Sequence, residues 1–162
     1  KTKKITIKDI SIFRESDAAL LYQVTRHKIN NGNDNVMVNV GFRTTEISFY
    51  DSNLKYNDKK SKSLELGNKT ILEYVQNIHP KRTLEEIDTS NRYNDLKEQG
   101  YQSLSENIEQ TVESLLVNLD EINLYAAGGV VKNLSLSKNF MVTEDPQMIT
   151  AKGLHLIATR KF

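Results

Sequence analysis

A stripe of apolar residues in the second half of the chain constrains the fold more than any other feature of the sequence. Its members recur at spacings near three and four, the repeat of an amphipathic helix. They are Tyr93, Leu96, Tyr101, Leu104, Ile108, Val112, Leu115 and Leu119. A stripe of this kind ordinarily packs against a core. We therefore expect a mostly helical region from Leu84 to Leu119, with a break at Gly100, since glycine weakens a helix.

Strand patterns lie on both sides of this helical region. Val36 to Val40 reads as a buried strand and Thr45 to Tyr50 as a second strand, and the link between them is short enough for a hairpin. Ile122 to Ala126 reads as another buried strand, which Gly128-Gly129 ends. Strands that alternate with helices predict an α/β fold with a mixed sheet flanked by helices.

Both ends of the chain carry similar signals. Ile5 to Phe13 alternates apolar and polar residues and predicts a first strand, after which Ser16 and Asp17 predict the start of a helix. Pro146 is expected in the first turn of a last helix that runs through Ala158. The 162 residues suffice for one domain with a sizeable core.

Composition excludes several classes of function. Lys and Arg total 22 and Asp and Glu total 21, which argues against a surface built to bind duplex nucleic acid directly. The absence of cysteine excludes disulfides and thiolate metal sites, and the three histidines show no metal-ligand spacing. The sequence has no apolar run of membrane-spanning length, so we expect a soluble, cytoplasmic protein without a membrane partner. The chain begins without Met, which suggests a fragment or a processed piece.

The link between the two central strands is the first candidate site. Gly41 permits a tight turn and would let a phosphate approach its N–H, while Thr44 and Thr45 add hydroxyl donors. Consecutive N–H groups in such a turn can form an anion-binding nest. Taken alone, a glycine and two threonines at a hairpin are most often ordinary turn residues.

Two further candidates have equally ordinary alternatives. Gly128 and Gly129 follow a buried strand and are expected to precede a helix, a place where a flat ligand or its phosphates can approach the backbone. Glycine is also common there for geometric reasons alone. Glu15 follows the first predicted strand and could orient a water molecule, although an exposed glutamate at a helix start is the simpler reading.

The order of these three features resembles the second half of the actin-like ATPase superfamily, which also contains heat-shock chaperones and sugar kinases. Glu15-Ser16-x-x-Ala19 comes first, the Asn39–Glu46 hairpin second, and Gly67, a long helix and the Gly128-Gly129 turn follow. The sequence is most similar to the bacterial plasmid-segregation actins of the ParM/StbA type. The resemblance implies an actin-like (ribonuclease H-like) domain, with the last strand of a first domain and an interdomain helix in residues 1–30 and a second domain in residues 31–162.

The resemblance also implies roles for individual residues. The hairpin would be the second phosphate loop, Asn39 to Glu46, in which Gly41, Phe42, Arg43 and Thr44 lie against the β- and γ-phosphates of ATP or ADP, with GTP as the alternative. The turn formed by Gly128, Gly129 and Val130 would be the adenosine motif. Glu15 matches the position that orients the attacking water.

Two departures from the family pattern concern catalysis. The family usually has Asp where this chain has Asn39, a position that reaches Mg²⁺ through water, and the amide keeps the shape but loses the charge. The first phosphate loop, an Asp-x-Gly hairpin, is absent from the sequence. Because phosphoryl transfer needs electrostatic stabilisation from several sides, we expect this chain alone to hydrolyse ATP poorly or not at all.

Three functions follow from these observations. The first is a filament-forming ATPase that segregates plasmid DNA, contacting the DNA through a centromere-bound adaptor protein. The second is a non-catalytic interaction module that keeps the fold without turnover. The third is a metabolic kinase of the same superfamily, although nothing in the chain resembles a sugar pocket.

Overall fold

A computed structural model describes residues 10–27, 29, 32–116 and 118–161. Ten helices and strands occur in this part of the chain. They are α1 (Glu15–His27), β1 (Asp34–Val40), β2 (Thr45–Tyr50), β3 (Lys62–Leu64), α2 (Asn68–Ile78), α3 (Leu84–Thr89), α4 (Asn94–Leu115), β4 (Ile122–Ala127), β5 (Phe140–Val142) and α5 (Ile149–Lys161). The alternation of strands and helices expected from the sequence is confirmed.

The strands form one mixed sheet in the order β3-β2-β1-β4-β5. β1 and β2 are antiparallel and are joined by the predicted hairpin, whereas β1, β4 and β5 run parallel to one another. Val40 pairs with Thr45 across the hairpin, and Asn39 pairs with Ala127 of β4. The carboxyl ends of β1 and β4 and the hairpin turn therefore share one edge of the sheet, which we call the carboxyl edge.

Each face of the sheet is buried under helices because successive side chains of a strand point to opposite faces. On one face Val36, Val38 and Val40 pack against Ile108 and Val112 of α4. On the other face the core contains Met37, Tyr125, Ala19, Leu20 and Ile149, from β1, β4, α1 and α5. The core thus lies in two layers, and α1 and α5 cover the layer opposite α4.

The predicted helix from Leu84 to Leu119 is divided in the structure. Thr83 and Glu86 form a capping box that starts α3, and α3 ends before Ser90. The pattern Thr-x-x-Glu was visible in the sequence and could have predicted this start. The predicted break at Gly100 is wrong, since α4 continues through it and a Cβ there would lie 2.6 Å from Ile71 Cγ2. The helix needs glycine at this position to approach α2 closely.

Three other boundaries differ from the prediction. α1 begins at Glu15, before the expected capping residues, and α5 begins at Ile149, three residues after Pro146. The Pro146 carbonyl accepts a hydrogen bond from the Gly128 N–H at 2.8 Å, so this segment serves the Gly-Gly turn instead of a helix. Residues 10–14 are not a strand, and the remainder of the predicted first strand lies outside the described residues. Within the described part of the chain, no helix has the length and apolar character needed to cross a bilayer.

Candidate functional site

The hairpin turn between β1 and β2 is held rigidly by hydrogen bonds to α2. The Gly41 N–H donates to the Thr44 carbonyl at 2.9 Å, which closes the turn. The Asn68 N–H donates to the Gly41 carbonyl at 3.3 Å and the Lys69 N–H to the Phe42 carbonyl at 2.7 Å. The first amides of α2, which lack partners inside their own helix, are thus satisfied by the turn.

Three consecutive amides of this turn remain available. The N–H groups of Phe42, Arg43 and Thr44 donate to no other atom in the described part of the chain, and all three residues are exposed. The donor expected at Gly41 is already engaged, so the anion-binding capacity lies with the next three residues. Consecutive free amides beside an arginine suit an anion with several oxygens.

The Gly128-Gly129 turn lies against the end of β1. Gly128 has a φ of +104°, and a Cβ at this residue would lie 2.1 Å from the Val40 carbonyl oxygen. Only glycine combines this backbone conformation with so close an approach. A Cβ on Gly129 would meet nothing nearer than the Gln147 Cγ at 3.8 Å. The Gly-Gly turn therefore lies against the last residue of β1, directly before the hairpin turn, and the Gly129 side of the turn is open.

The segment after this turn differs from the prediction. The expected helix is a single 3-10 turn at Val131–Asn133, so no α-helix N-terminus points at the site from this segment. The Val130 side chain is buried in the core beneath α4, and its carbonyl accepts from the Asn133 N–H at 2.9 Å. Val130 thus supports the turn from inside, and its side chain does not border the open space.

Glu15 and Asn39 meet at the same edge, although they are far apart in sequence. Asn39 Nδ2 donates to Glu15 Oε2 at 3.3 Å. Asn39 occupies the penultimate position of β1, pairing with Glu46 of β2, while Glu15 is the first residue of α1. A carboxylate at a helix N-terminus is stabilised by the helix dipole. Glu15 is exposed, so its second oxygen can contact solvent or a ligand.

Sequence reasoning missed further polar residues at this edge. The Tyr101 hydroxyl donates to Asn68 Oδ1 at 2.9 Å, at the N-terminus of α2. Burial raises the pKa of Tyr101, and a hydrogen bond with the Asn133 side chain partly offsets this effect. Tyr101 was counted as one apolar member of a helical stripe, and periodicity cannot reveal where its hydroxyl lies. Ser16 donates to Glu46 and is predicted from sequence only as a helix cap and a motif member, and Ser48, which donates to Ser16, carries no sequence signal.

Among the described residues, no group of three or more His, Cys, Asp or Glu side chains is arranged so that it could bind a metal ion directly. The Glu15 carboxylate and the Asn39 amide oxygen are hard oxygen ligands of the kind that Mg²⁺ accepts directly or through its bound waters. The chemistry of this donor set is compatible with an ion held through water, and the role predicted for Asn39 stays a prediction.

Comparisons with known proteins identify the fold. No protein-family model matches the chain, and no curated protein matches it. Among solved structures, the apo psk41 ParM protein is 19% identical with a TM-score of 0.70, over 90% of this chain and 49% of that one. The archaeal actin homologue Ta0583 in complex with ADP is 17% identical with a TM-score of 0.72, over 90% of this chain and 56% of that one.

A third similar structure is a polymer. A 15-stranded ParM filament from Clostridium botulinum is 16% identical with a TM-score of 0.75, over 99% of this chain and 56% of that one. The chain therefore has an actin-like fold, and it spans about half the length of the structures that it resembles.

Proposed function

We propose that this chain is the second, C-terminal half of an actin-like protein that binds ATP or ADP and polymerises into filaments for plasmid partition. One observation carries the proposal. The Gly128-Gly129 turn packs against Val40, which directly precedes the hairpin turn, so the two turns share the carboxyl edge although Gly41 and Gly128 are 87 residues apart. In open α/β sheets, ligands bind in a crevice outside the carboxyl ends of the strands.

The available groups suit the parts of a nucleotide. The free amides of Phe42, Arg43 and Thr44 donate to phosphate oxygens, and the open backbone at Gly129 allows a flat ligand to approach. Glu15, in contact with Asn39 at 3.3 Å, orients the attacking water. Bound Mg²⁺ would neutralise phosphate charge, and Asn39 would help to hold it through water. GTP in place of ATP would use the same phosphate contacts.

Domain organisation follows the same proposal. Residues 1–30 supply the last strand of a first domain and the interdomain helix, and residues 31–162 form the second domain. The second wall of the cleft, with the facing phosphate loop, belongs to the part of the complete protein outside this chain. Nucleotide binding closes the two walls, favours subunit addition and so shifts the population toward filament.

Self-association is supported by neighbours whose structures are filaments. The near balance of charge fits a protein that reaches DNA through a centromere-bound adaptor, without contacting nucleic acid or a membrane itself. A cytoplasmic location follows from this role.

The deciding experiment uses the complete protein. We expect light scattering and sedimentable polymer to rise on addition of ATP with Mg²⁺ and to fall as phosphate is released.

Glu15→Ala should slow phosphate release about 100-fold, the usual scale for a group that positions a reacting water, and leave polymerisation intact. A complete protein that binds ATP but never forms sedimentable polymer would contradict the filament role.

Asn39 favours one alternative, a non-catalytic interaction module that keeps the fold without turnover. Asn39→Asp separates the two functions because it places a second carboxylate beside Glu15, at the present 3.3 Å contact. If the site holds Mg²⁺ and nucleotide, the variant should have a lower melting temperature without Mg²⁺ and regain it when ATP and Mg²⁺ are added. A loss of stability that Mg²⁺ and ATP never reverse, together with no ATP binding by the parent, supports the interaction module.

A further inference from the structure

The two edges of the sheet carry different kinds of side chain. β3 forms one edge, where Lys62 and Ser63 are exposed. A lysine on an edge strand opposes pairing with another chain, because pairing would bury its charge. β5 forms the other edge, where Met141 is 41% exposed and Val142 is 52% exposed. Exposed apolar side chains on an edge strand favour pairing with a further strand, so β5 has the composition of a contact surface.

The backbone of β5 directs hydrogen-bonding groups away from the sheet. The Thr143 N–H donates to the Ala126 carbonyl of β4 at 3.0 Å. Alternate residues of a strand direct their amides and carbonyls to opposite sides, so Phe140 and Val142 direct theirs away from β4. The Phe140 N–H donates to the Ser137 carbonyl at 3.0 Å in a turn. The Val142 amide and carbonyl and the Phe140 carbonyl therefore face the side on which the described chain has no further strand.

The charges on either side of β5 suit pairing with a second copy of the chain. Lys138 before the strand and Glu144 after it are both exposed, and neither forms an ion pair with another described residue. In an antiparallel pair centred on Met141 of each copy, Phe140 of one copy lies opposite Val142 of the other. The same pairing brings Lys138 of each copy close to Glu144 of the other. The segment is therefore complementary to itself in charge and in hydrogen bonding.

We propose that β5 is a contact surface for a second copy of this chain, through an antiparallel β5–β5 pair with two-fold symmetry. The Val142 N–H of each copy donates to the Phe140 carbonyl of the other, and the two five-stranded sheets become continuous. The contact uses neither Glu15 nor the two turns, so it goes beyond the proposed function and needs no nucleotide. A three-residue strand buries less surface than the roughly 1,200–2,000 Å² of a stable interface, so the contact is weak between single subunits and stronger where many copies are aligned.

A cross-linking experiment tests whether the two strands meet. The chain contains no cysteine, so one introduced cysteine reports on the contact. The test uses the nucleotide-free complete protein, with any cysteine outside this chain replaced by serine. Met141→Cys should form an interchain disulfide with oxidised glutathione at least about tenfold faster than Ser63→Cys on the β3 edge, because opposed residues of a non-hydrogen-bonded pair have Cα atoms about 4.5 Å apart. Equal rates for the two variants would overturn the inference.

Sedimentation equilibrium of the same nucleotide-free protein tests the pairing register. Val142→Lys should raise the Kd of the dimer by about tenfold or more, since it places on β5 the kind of charge that β3 carries. Lys138→Glu or Glu144→Lys alone should raise the Kd by about threefold to tenfold, because two like-charge contacts replace two opposite ones. The combined variant exchanges the two charges and should return the Kd to within about threefold of the parent.

Several outcomes would contradict the contact. A parent that stays monomeric at about 100 μM, or a dimer that Val142→Lys leaves unchanged, would exclude it. If Val142→Lys does not fold, the charge exchange and the cross-linking rates decide. Each of these outcomes leaves the proposed function standing, because that function fails only if the complete protein does not bind ATP or does not polymerise.

Discussion

Single glycines at the carboxyl edge serve two separate purposes. Gly128 is required by backbone conformation and by the contact with Val40, whereas Gly129 has free space above it. A substitution at Gly128 therefore reports on folding, and only Gly129 can report on ligand binding. The two residues look equivalent in the sequence.

We expect Gly129→Asp to lower the affinity of the complete protein for ATP by about tenfold or more, because the added carboxylate would occupy the space proposed for the nucleotide and repel its negative charge. Its stability should change little, since the nearest atom to the new Cβ is 3.8 Å away. Gly129→Ala is the matched control and should bind normally. Gly128→Ala should lower the free energy of unfolding by at least about 1–3 kcal/mol, because its backbone conformation is strained for alanine and the new Cβ would lie 2.1 Å from the Val40 carbonyl oxygen. Titration calorimetry and urea unfolding measure these effects, and equal ATP affinity in Gly129→Asp would remove this turn from the site.

Tyr125 provides a prediction about alkaline pH. Its hydroxyl is buried with no hydrogen-bond partner among the described residues, and burial raises its pKa to about 12. The ordinary pKa is about 10, so the unfolded chain loses this proton first. The stability from a neutral Tyr125 is complete below about pH 10 and is lost as the pH rises toward about 12.

Tyr125→Phe should therefore be neutral or slightly stabilising at pH 8, since it removes an unsatisfied hydroxyl, and should lose less stability between pH 10 and 12. Tyr50→Phe is the contrasting variant, because the Tyr50 hydroxyl donates to Asp17 Oδ1 at 2.7 Å. It should be less stable by about 1 kcal/mol at pH 8. Urea unfolding at the two pH values provides the measurement. A Tyr125→Phe protein as alkali-sensitive as the parent would show that another group controls this loss.

At the scale of elements, the contact between α1 and α5 is closest at one glycine. A Cβ on Gly153 would lie 1.9 Å from the Ala18 carbonyl oxygen, so the two helices can adopt this separation only with glycine there. α1 carries Glu15 and Ser16 into the site, and its position therefore depends on α5. The last helix therefore supports the candidate site indirectly, through α1.

Gly153→Ala should lower the free energy of unfolding by about 1–3 kcal/mol, because the added methyl group clashes with backbone. The helix preference for alanine acts in the opposite direction by at most about 1 kcal/mol. Leu154→Ala at the next, 42% exposed position is the control and should change stability by about 0.5 kcal/mol or less. A Gly153→Ala protein with a higher free energy of unfolding would contradict this, because it would mean that α1 and α5 can move apart without loss of stability.

The division between α3 and α4 illustrates how local signals override periodicity. The sequence predicts one helical region from Leu84 to Leu119, but Thr83 caps α3 and Ser90 caps the 3-10 turn Asn91–Tyr93 that precedes α4. Lys97 then fixes the junction, since its buried Nζ donates to the carbonyls of Asp88 and Ser90 at 3.1 Å each. A lysine on this helix would be read from sequence as a solvated charge.

At the scale of the whole molecule, the proposed function makes the candidate site one wall of a cleft. The chain spans about half the length of the structures with the same fold, and phosphoryl transfer needs donors on several sides of the phosphate. We expect the 162-residue chain alone to bind ATP at least about tenfold more weakly than the complete protein and to release phosphate about 100-fold more slowly or not at all. Parallel ATP titrations and phosphate-release assays test this. Equal turnover by the two would place the whole catalytic site within this chain.

The sequence by itself determined the layered α/β architecture, the hairpin and the order of the three candidate features, which are Glu15 and the two turns. These depend on local periodicity and turn chemistry, which act over a few residues and are therefore readable along the chain. The tertiary structure decided which groups are available at the site. The Gly41 N–H donates within the turn, and Gly128 packs directly against Val40. The Ser48 hydroxyl donates to Ser16, and the Ser16 hydroxyl donates to Glu46. Each of these facts depends on the distance between segments remote in sequence, and only packing sets that distance.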